Sequence, residues 1–454
     1  MRLPACFFAF IGLLFSLHMF AHVDPDLFFH IKEGEKLIEQ GRFPLTEEFS
    51  FTAPGKAMVA TEWLADAEIY PIFRAFGYGG LVFVHTLLFL AALIVLFHFL
   101  KGDVPEPVRY LLVSLAAFAL INFVAVRAHV FTILFWALSL LWIKRWEEGR
   151  RWAPWAMAVS LLFWVNVHGG FMAGWTVLGA VCLLSFRHSR KAADLAPWAL
   201  GTFLCFLHPN GPTAFVYPVW FMVLPPAGRS IILEWMPLDF SELSATPYLL
   251  ILAALCLVGV GALRRKFPWA ALTLVLLLLA IRGRKLLPLF SFTAIAALGL
   301  SLRQAPLKKW QVRLCAAGAL AVLLALSALE AGFARGKPWR DWEGSYPKVA
   351  AEFFAGHYAG RRLFHDYSWG CYLIYKLAPN TKVFVDGRLD PYWPILGEYS
   401  VIMEGRPGWQ ALLDGWAIEA VLVSPGVALA RLLQDDRRWQ NVYSDPKAVL
   451  FIRR

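Results

Sequence analysis

Asp24-Pro25-Asp26 places two carboxylates two residues apart, just after an apolar run that ends at Ala21. Such a pair can hold a divalent cation, or one acid can take a proton from an acceptor while the other orients it. Alone, an Asp-X-Asp in a loop more often caps a helix. Here Leu27 to Gln40 reads as an amphipathic helix with apolar positions Ile31, Leu37 and Ile38, stopped by Gly41. His30, four residues after Asp26, falls on the same face. Glu62, in Thr61-Glu62-Trp63-Leu64-Ala65-Asp66, is a second acid or metal ligand, or simply a surface carboxylate beside an interfacial tryptophan. Arg127 with His129, Asn166 with His168 before Gly169-Gly170, and His208 with Asn210 put polar pairs at apolar-run boundaries, where an ordinary turn is the simpler reading. Arg282, Arg284 and Lys285 gather three cations suited to a phosphate or diphosphate; alternatively they snorkel to headgroups. Late in the chain, Lys382-Val-Phe-Val reads as a strand ending in the charged turn Asp386-Gly387-Arg388-Leu389-Asp390. That turn would help hold an acceptor, or its Asp–Arg pair merely stabilises it. No Walker sequence, Gly-rich dinucleotide turn, CxxC pair or HExxH helix is present, so nucleotide and zinc chemistry lack a motif.

These residues must be positioned by elements that are mostly membrane helices. The chain has 454 residues, 59% hydrophobic and only 17% charged, with a mean hydropathy of +0.56. Soluble domains carry roughly 45–50% apolar and about 25% charged residues. With 37 Phe and 20 Trp, and only 6 Cys, disorder and a disulfide scaffold are both excluded. The formal charge of +11 would point to nucleic acid in a soluble chain, but the basic residues lie between apolar runs, where they set orientation. Spans are expected near 4–21, 78–100, 108–126, 129–143, 153–168, 170–186, 195–208, 247–263, 267–282, 286–302 and 312–330, about eleven in all. The first reads as an uncleaved anchor, since Met19-Phe20-Ala21 is a poor cleavage site. With the N-terminus inside, alternate loops collect Lys and Arg at every turn, provided that the proline-rich 209–224 stretch is re-entrant or interfacial. Arg282, Arg284 and Lys285 then stand outside, against the charge rule. The same order puts Asp24, Asp26, His30, Glu62, Asp66, Arg127, His129, Asn166, His168, His208, Asn210, Glu234 and Asp239 at outer ends, where costly ionisable groups line cavities. The expected architecture is a polytopic α-helical membrane protein, N-terminus in and C-terminus out. A membrane domain, 1–330, carries an outer first loop, 22–77, and a small extracytoplasmic α/β domain follows at 331–454.

An apolar first span, a carboxylate pair at its outer end, a helical first loop and a polar tail outside together resemble the C-type integral-membrane glycosyltransferases. More narrowly, the pattern Asp-Pro-Asp-Leu-Phe-Phe-His…Gly34…Gly41-Arg-Phe-Pro44…Phe49-Ser-Phe-Thr52…Glu62-Trp63-Leu64, with Trp164…Asn166…His168-Gly169 later, is similar to a bacterial group related to the dolichyl-phosphate-mannose protein mannosyltransferases. The resemblance covers roughly residues 1–330. It implies a multi-pass protein of the bacterial plasma membrane that moves a sugar from a polyprenyl-phosphate carrier to a glycan, lipid or protein acceptor on the extracytoplasmic face, usually with inversion. By position, Asp24 or Asp26 would be the general base, with Glu62 assisting. Members differ in metal dependence; if a metal is used here, Asp24 and Asp26 are the ligands to consider. Arg282, Arg284 and Lys285 are assigned to the donor phosphate from charge and sidedness, not from a motif. His30, Arg127, His129, Asn166 and His168 would line the substrate cavity. Two other classes compete. A transporter or flippase for a lipid-linked glycan would need substrate-carrying residues deep in the spans, and these are scarce. A non-catalytic assembly component would work through its tail. No nucleic-acid partner is expected; membrane lipids are.

Overall fold

The computed structural model describes residues 2–223, 236–238, 267–303, 307–334 and 341–454. The expected span 247–263 and the acids Glu234 and Asp239 lie outside these residues. Two compact units emerge, one from residues 1–22, 82–223 and 229–339, the other from 23–81, 224–228 and 340–454. The first outer loop and the tail, expected in separate domains, thus belong to one unit.

The first unit is helical. Its elements are α1 (Arg2–Ala21), the second part of α3 (Trp63–Phe99), α4 (Glu106–Leu120), α5 (His129–Glu147), α6 (Ala153–Val167), α7 (Phe171–Ser189), α8 (Ala196–Cys205), α9 (Pro212–Val223), α10 (Phe267–Arg282), α11 (Leu287–Leu302) and α12 (Lys309–Ala334). Every expected span within the described residues falls on one of them. Among these residues, six helical stretches are long and apolar enough to cross a membrane, namely Leu3–Ala21, Trp63–Phe99, Glu106–Phe123, Phe171–Ser189, Arg284–Leu302 and Lys309–Gly332. Ala153–Val167, Ala192–Cys205 and Pro268–Arg282 are apolar but shorter. Within the described residues the proline-rich stretch forms the 12-residue helix α9, with Pro218 inside it. Helix contacts use small residues and side-chain hydrogen bonds, as expected where apolar faces gain little from leaving lipid. Trp136 Nε1 donates to the Leu289 carbonyl and Thr293 Oγ1 of α11 at 3.0 and 3.1 Å. Gly174 lets the Trp164 ring lie where a Cβ would sit 2.3 Å from it.

The second unit is built on α2 (Leu27–Gln40), the start of α3, and the tail elements α13 (Lys348–His357), β1 (Leu363–His365), α14 (Gly370–Leu377), α15 (Leu396–Glu404), α16 (Trp409–Gly415), β2 (Ala420–Val423), α17 (Ala428–Asp435), β3 (Trp439–Ser444) and β4 (Val449–Arg453). Its sheet runs β1-β2-β4-β3. β1 and β2 are parallel, with Leu363 opposite Ala420, and the other two pairings are antiparallel. On one sheet face the alternate residues Leu363, Ala420, Leu422, Leu450 and Ile452 join a core with Phe28, Phe29 and Phe49 of the first loop and Tyr346, Phe354, Tyr372 and Ile374 of the tail. Each fully buried phenylalanine contributes about 2–3 kcal/mol, so the loop aromatics anchor their segment on the sheet.

One expected element is corrected. Residues 382–385 are not a strand; Val383 makes only an isolated parallel bridge to Ser50. Its backbone bonds are taken elsewhere: Val383 N–H donates to Phe49 O at 2.9 Å, Phe51 N–H to Val383 O at 3.2 Å, and Phe384 N–H to His365 Nε2 at 3.1 Å. Burial pushes His365 down, which suits the neutral acceptor this contact requires.

Candidate active site

α2 begins directly after the carboxylate pair and ends at Gly41, whose φ of 64° is the left-handed cap that glycine favours. Its buried face is not the expected Ile31, Leu37 and Ile38 set: Ile31 is buried, but Ile38 is 51% exposed. The face also buries His30 and Glu33. Asp26 stands at the N-cap but makes no side-chain cap bond. Instead the Asp26 N–H donates to Asp24 Oδ1 at 2.9 Å, which fixes the turn and leaves both acids half-buried. Asp26 Oδ1 lies 3.9 Å from Cys371 Sγ. Gly387 is packed so closely that a Cβ there would sit 2.2 Å from Asp26 Oδ1 and 3.1 Å from Cys371 Sγ. Tyr346 closes over the same place, its hydroxyl donating to Val23 O at 3.1 Å. Burial, together with the charges of Asp24 and Asp26, holds that phenol well above its usual range. Cys371 is likewise pushed up by burial and by Asp386 and Asp26.

His30 is completely buried. Its Nδ1 lies 2.5 Å from Asp66 Oδ1 and its Nε2 lies 3.5 Å from Glu62 Oε2. Asp66 is buried whereas Glu62 is half-buried, with 24% of its side chain exposed. The approach of α2 to the start of α3 depends on Gly34, where a Cβ would meet the Asp66 carbonyl at 2.3 Å. The result is a carboxylate–imidazole–carboxylate row in which a buried acid fixes the ring and the ring faces the more accessible acid.

The charged turn of the tail is buried in the same unit. The Arg388 guanidinium lies 3.1 Å from Glu33, 2.6 Å from Glu47 and 2.6 Å from Asp386. The Tyr392 hydroxyl donates to Asp386. One cation serves three acids. Burial opposes charge on Asp386, but Arg388 and the hydrogen bonds outweigh it and hold this carboxyl low. Burial pushes Glu33 up to about 7 and raises Glu47, in both cases against the pull of Arg388. Asp390 is buried, and its carbonyl accepts from Lys56 Nζ at 3.1 Å. Asp386 and Arg388 therefore join tail to loop through their side chains.

Of the residues singled out from sequence, this unit brings together Asp24, Asp26, His30, Glu62, Asp386, Arg388 and Asp390. Asp66 belongs to the same unit, Glu234 and Asp239 lie outside the described residues, and the others lie in the helical unit. His129 Nε2 bonds Phe123 O at 2.5 Å. Buried Asn166 donates to Leu162 O at 2.7 Å and Leu207 O at 3.3 Å. His168 Nδ1 is 2.9 Å from both Thr132 Oγ1 and Gly170 N, so α5 and the α6–α7 turn meet through it. Arg127 is half-buried in the turn before α5. Arg282 is exposed, whereas Arg284 and Lys285 are half-buried. The 282–285 turn is braced by the 236–238 segment: Arg284 N–H donates to Met236 O at 3.2 Å and Arg284 Nε to Pro237 O at 3.4 Å. Among the described residues, no group of three or more His, Cys, Asp or Glu has a metal-binding geometry. Sequence reasoning missed Glu33, Glu47, Cys371, Gly387 and Tyr392. Only Glu33 left a signal, three residues after His30 on one helical face. In the helical unit it also missed the buried pair His18 Nδ1–Glu330 Oε1, 2.8 Å apart, which joins α1 to α12.

No family profile matches the sequence, and no curated protein matches it. Solved structures do share its fold. The oligosaccharyltransferase of Archaeoglobus fulgidus, tethered to an acceptor peptide containing the NVT sequon, aligns over 92% of this chain and 68% of its own length, with a TM-score of 0.57 at 10% identity. ArnT from Cupriavidus metallidurans, bound to undecaprenyl phosphate, aligns over 99% of this chain and 97% of its own, with a TM-score of 0.51 at 12% identity. The arabinofuranosyltransferase AftD from Mycobacteria aligns over 98% of this chain but 41% of its own, with a TM-score of 0.52 at 16% identity. The chain has the fold of the C-type membrane glycosyltransferases.

Proposed function

We propose that the chain is an inverting glycosyltransferase that moves a sugar from a polyprenyl-phosphate carrier to an acceptor hydroxyl. The observation that carries this reading most is the near-complete mutual coverage with ArnT, whose structure holds undecaprenyl phosphate. The half-buried pair Asp24 and Asp26 supplies the chemistry such a fold needs. One of them takes the acceptor proton as the new C1–O bond forms and the bond from C1 to the phosphate oxygen breaks, and polyprenyl phosphate leaves with that electron pair. Glu62, set by His30 and Asp66, assists. Arg282, Arg284 and Lys285 stabilise the leaving phosphate, which needs cations more than an acid. His168, Asn166, Arg127 and His129 line the path of the carrier. The site faces the extracytoplasmic side, as the order of basic loops supports, and the closer kinship is with the mannosyltransferase-related bacterial group named by the first-loop motif.

The test uses purified full-length protein, a panel of undecaprenyl-phosphate-linked sugars and a panel of glycan, lipid and peptide hydroxyl acceptors, with acceptor-dependent release of undecaprenyl phosphate as the readout. Asp24→Asn and Asp26→Asn are expected to insert and melt as wild type while turnover falls ~10²–10⁴-fold in at least one of them. Normal turnover by both rejects the assignment. Movement of intact lipid-linked sugar across vesicles without transfer points to the flippase reading instead.

A further inference from the structure

The ends of α3 and α5 enclose a cleft of about 340 Å³ within the helical unit. Its lining changes character along the helices. Ile94 and Val95 on α3 and Leu141 on α5 form the apolar part, one turn before His98, Lys101 and Arg145. Positions 94, 98 and 101 share one face of α3 and its C-terminal extension, and 141, 145 and 148 share one face of α5. The cleft is therefore greasy along the two helices and basic at their ends.

The cations differ in how fully they are already used. Lys144 is buried and donates to Asp103 and to the Phe99 carbonyl, so it braces the floor. Among the described residues, the Arg145 side chain pairs with Glu148, at 2.8 Å, and both are well exposed, a pair worth little against solvent. His98 bonds the Ile94 carbonyl through Nδ1, which leaves Nε2 directed away from that bond. Lys101 is exposed. Glu148 is the one acid among the lining residues, against four basic ones.

We infer that this cleft binds the phosphate of an anionic bilayer phospholipid, with Lys101, Arg145 and His98 on the headgroup and one acyl chain along Ile94, Val95 and Leu141. An apolar wall continuous with a basic rim fits a phospholipid, whereas a free phosphate would use only the rim. The inference does not depend on the proposed transferase activity.

The experiment is native mass spectrometry of the full-length protein, titrated with phosphatidylglycerol and, separately, phosphatidylcholine. Wild type is expected to retain one phosphatidylglycerol in preference to phosphatidylcholine. The double variant Lys101→Glu/Arg145→Glu should lose that preference by roughly tenfold or more, since each basic residue near the headgroups matters about fivefold. Arg187→Glu, on an exposed position of α7, should retain it, and unchanged melting of all variants excludes misfolding. Equal retention by the double variant, equal loss in Arg187→Glu, competition by millimolar inorganic phosphate, or preference for undecaprenyl phosphate over phosphatidylglycerol each overturns the inference.

Discussion

At the scale of single residues, the closest constraint is steric. Gly387 has no left-handed φ, so alanine there is not a backbone problem. Its methyl would instead displace the Asp26 carboxylate, now 2.2 Å from where the Cβ would be. Gly387→Ala is expected to cost ~1–3 kcal/mol as overpacking and to lower transfer by more than that loss of stability accounts for. Paired melting curves and turnover measurements check this; a variant that matches wild type in both shows that Asp26 need not lie against the tail. The Asp66–His30–Glu62 row gives a second residue-level expectation. Asp66→Asn can still hydrogen-bond the ring but no longer fixes the tautomer that Glu62 faces. Transfer should fall roughly 10–100-fold through kcat with KM little changed, and Asp66→Glu should recover part of it. A fall in KM-dependent binding alone would mean that the row shapes the cavity without acting on the chemistry.

At the scale of elements, α2 was legible because everything that makes it is local: a carboxylate turn before it, helical periodicity through it and Gly41 after it. The mixed α/β character of the tail was legible for the same reason. The 382–385 segment was not, since its partners, Phe49, Phe51 and His365, are remote or are side chains, and no local pattern distinguishes such a segment from a strand. The acids around Arg388 were illegible for a related reason. Glu33 lies 355 residues away in sequence, and charge alone does not say which acids meet. The network makes a pH prediction. Glu33 is raised to about 7 in the fold from 4.5, so the folded state holds a proton that the unfolded chain has lost between those values. Stability from this group is therefore full below about pH 4.5 and declines as pH rises to about 7. Glu33→Gln, which keeps an acceptor for Arg388, should be more stable than wild type by on the order of 2 kcal/mol at pH 8, with the gain vanishing toward pH 4.5. Arg388→Met strands three acids and should cost ~3–5 kcal/mol at pH 8, less at pH 5. Alkylation reports it independently. Cys371, buried and held protonated, should resist maleimide in wild type and react in Arg388→Met.

At the scale of the whole molecule, composition and hydropathy were enough to place the apolar helices of the described residues, because such a helix is an uninterrupted apolar run that needs no distant partner. The division into units was not readable in the same way, since it depends on aromatic residues in a first loop finding a sheet assembled from the last hundred residues. That dependence can be tested by removing residues 340–454. The helices of residues 1–22 and 82–334 keep their apolar runs, so the shortened chain should still insert. The segment 23–77 loses Tyr346, Phe354, Leu363, Tyr372 and Ile374 from its core. At about 1.5–3 kcal/mol for each buried side chain, that loss matches or exceeds the 5–15 kcal/mol by which domains are stable. α2 should then unfold, and trypsin should cut at Lys32 and Lys36, which the intact helix protects, at rates at least ~10² higher. Transfer should vanish although Asp24 and Asp26 remain in the chain. Unchanged cleavage would mean that the loop folds without the tail. Comparison with the Asp24→Asn and Asp26→Asn variants separates two meanings of an inactive truncation. If the point variants are also inactive, the tail serves by shaping the carboxylate site; if they are active, the tail itself is the working part, as an assembly component would require.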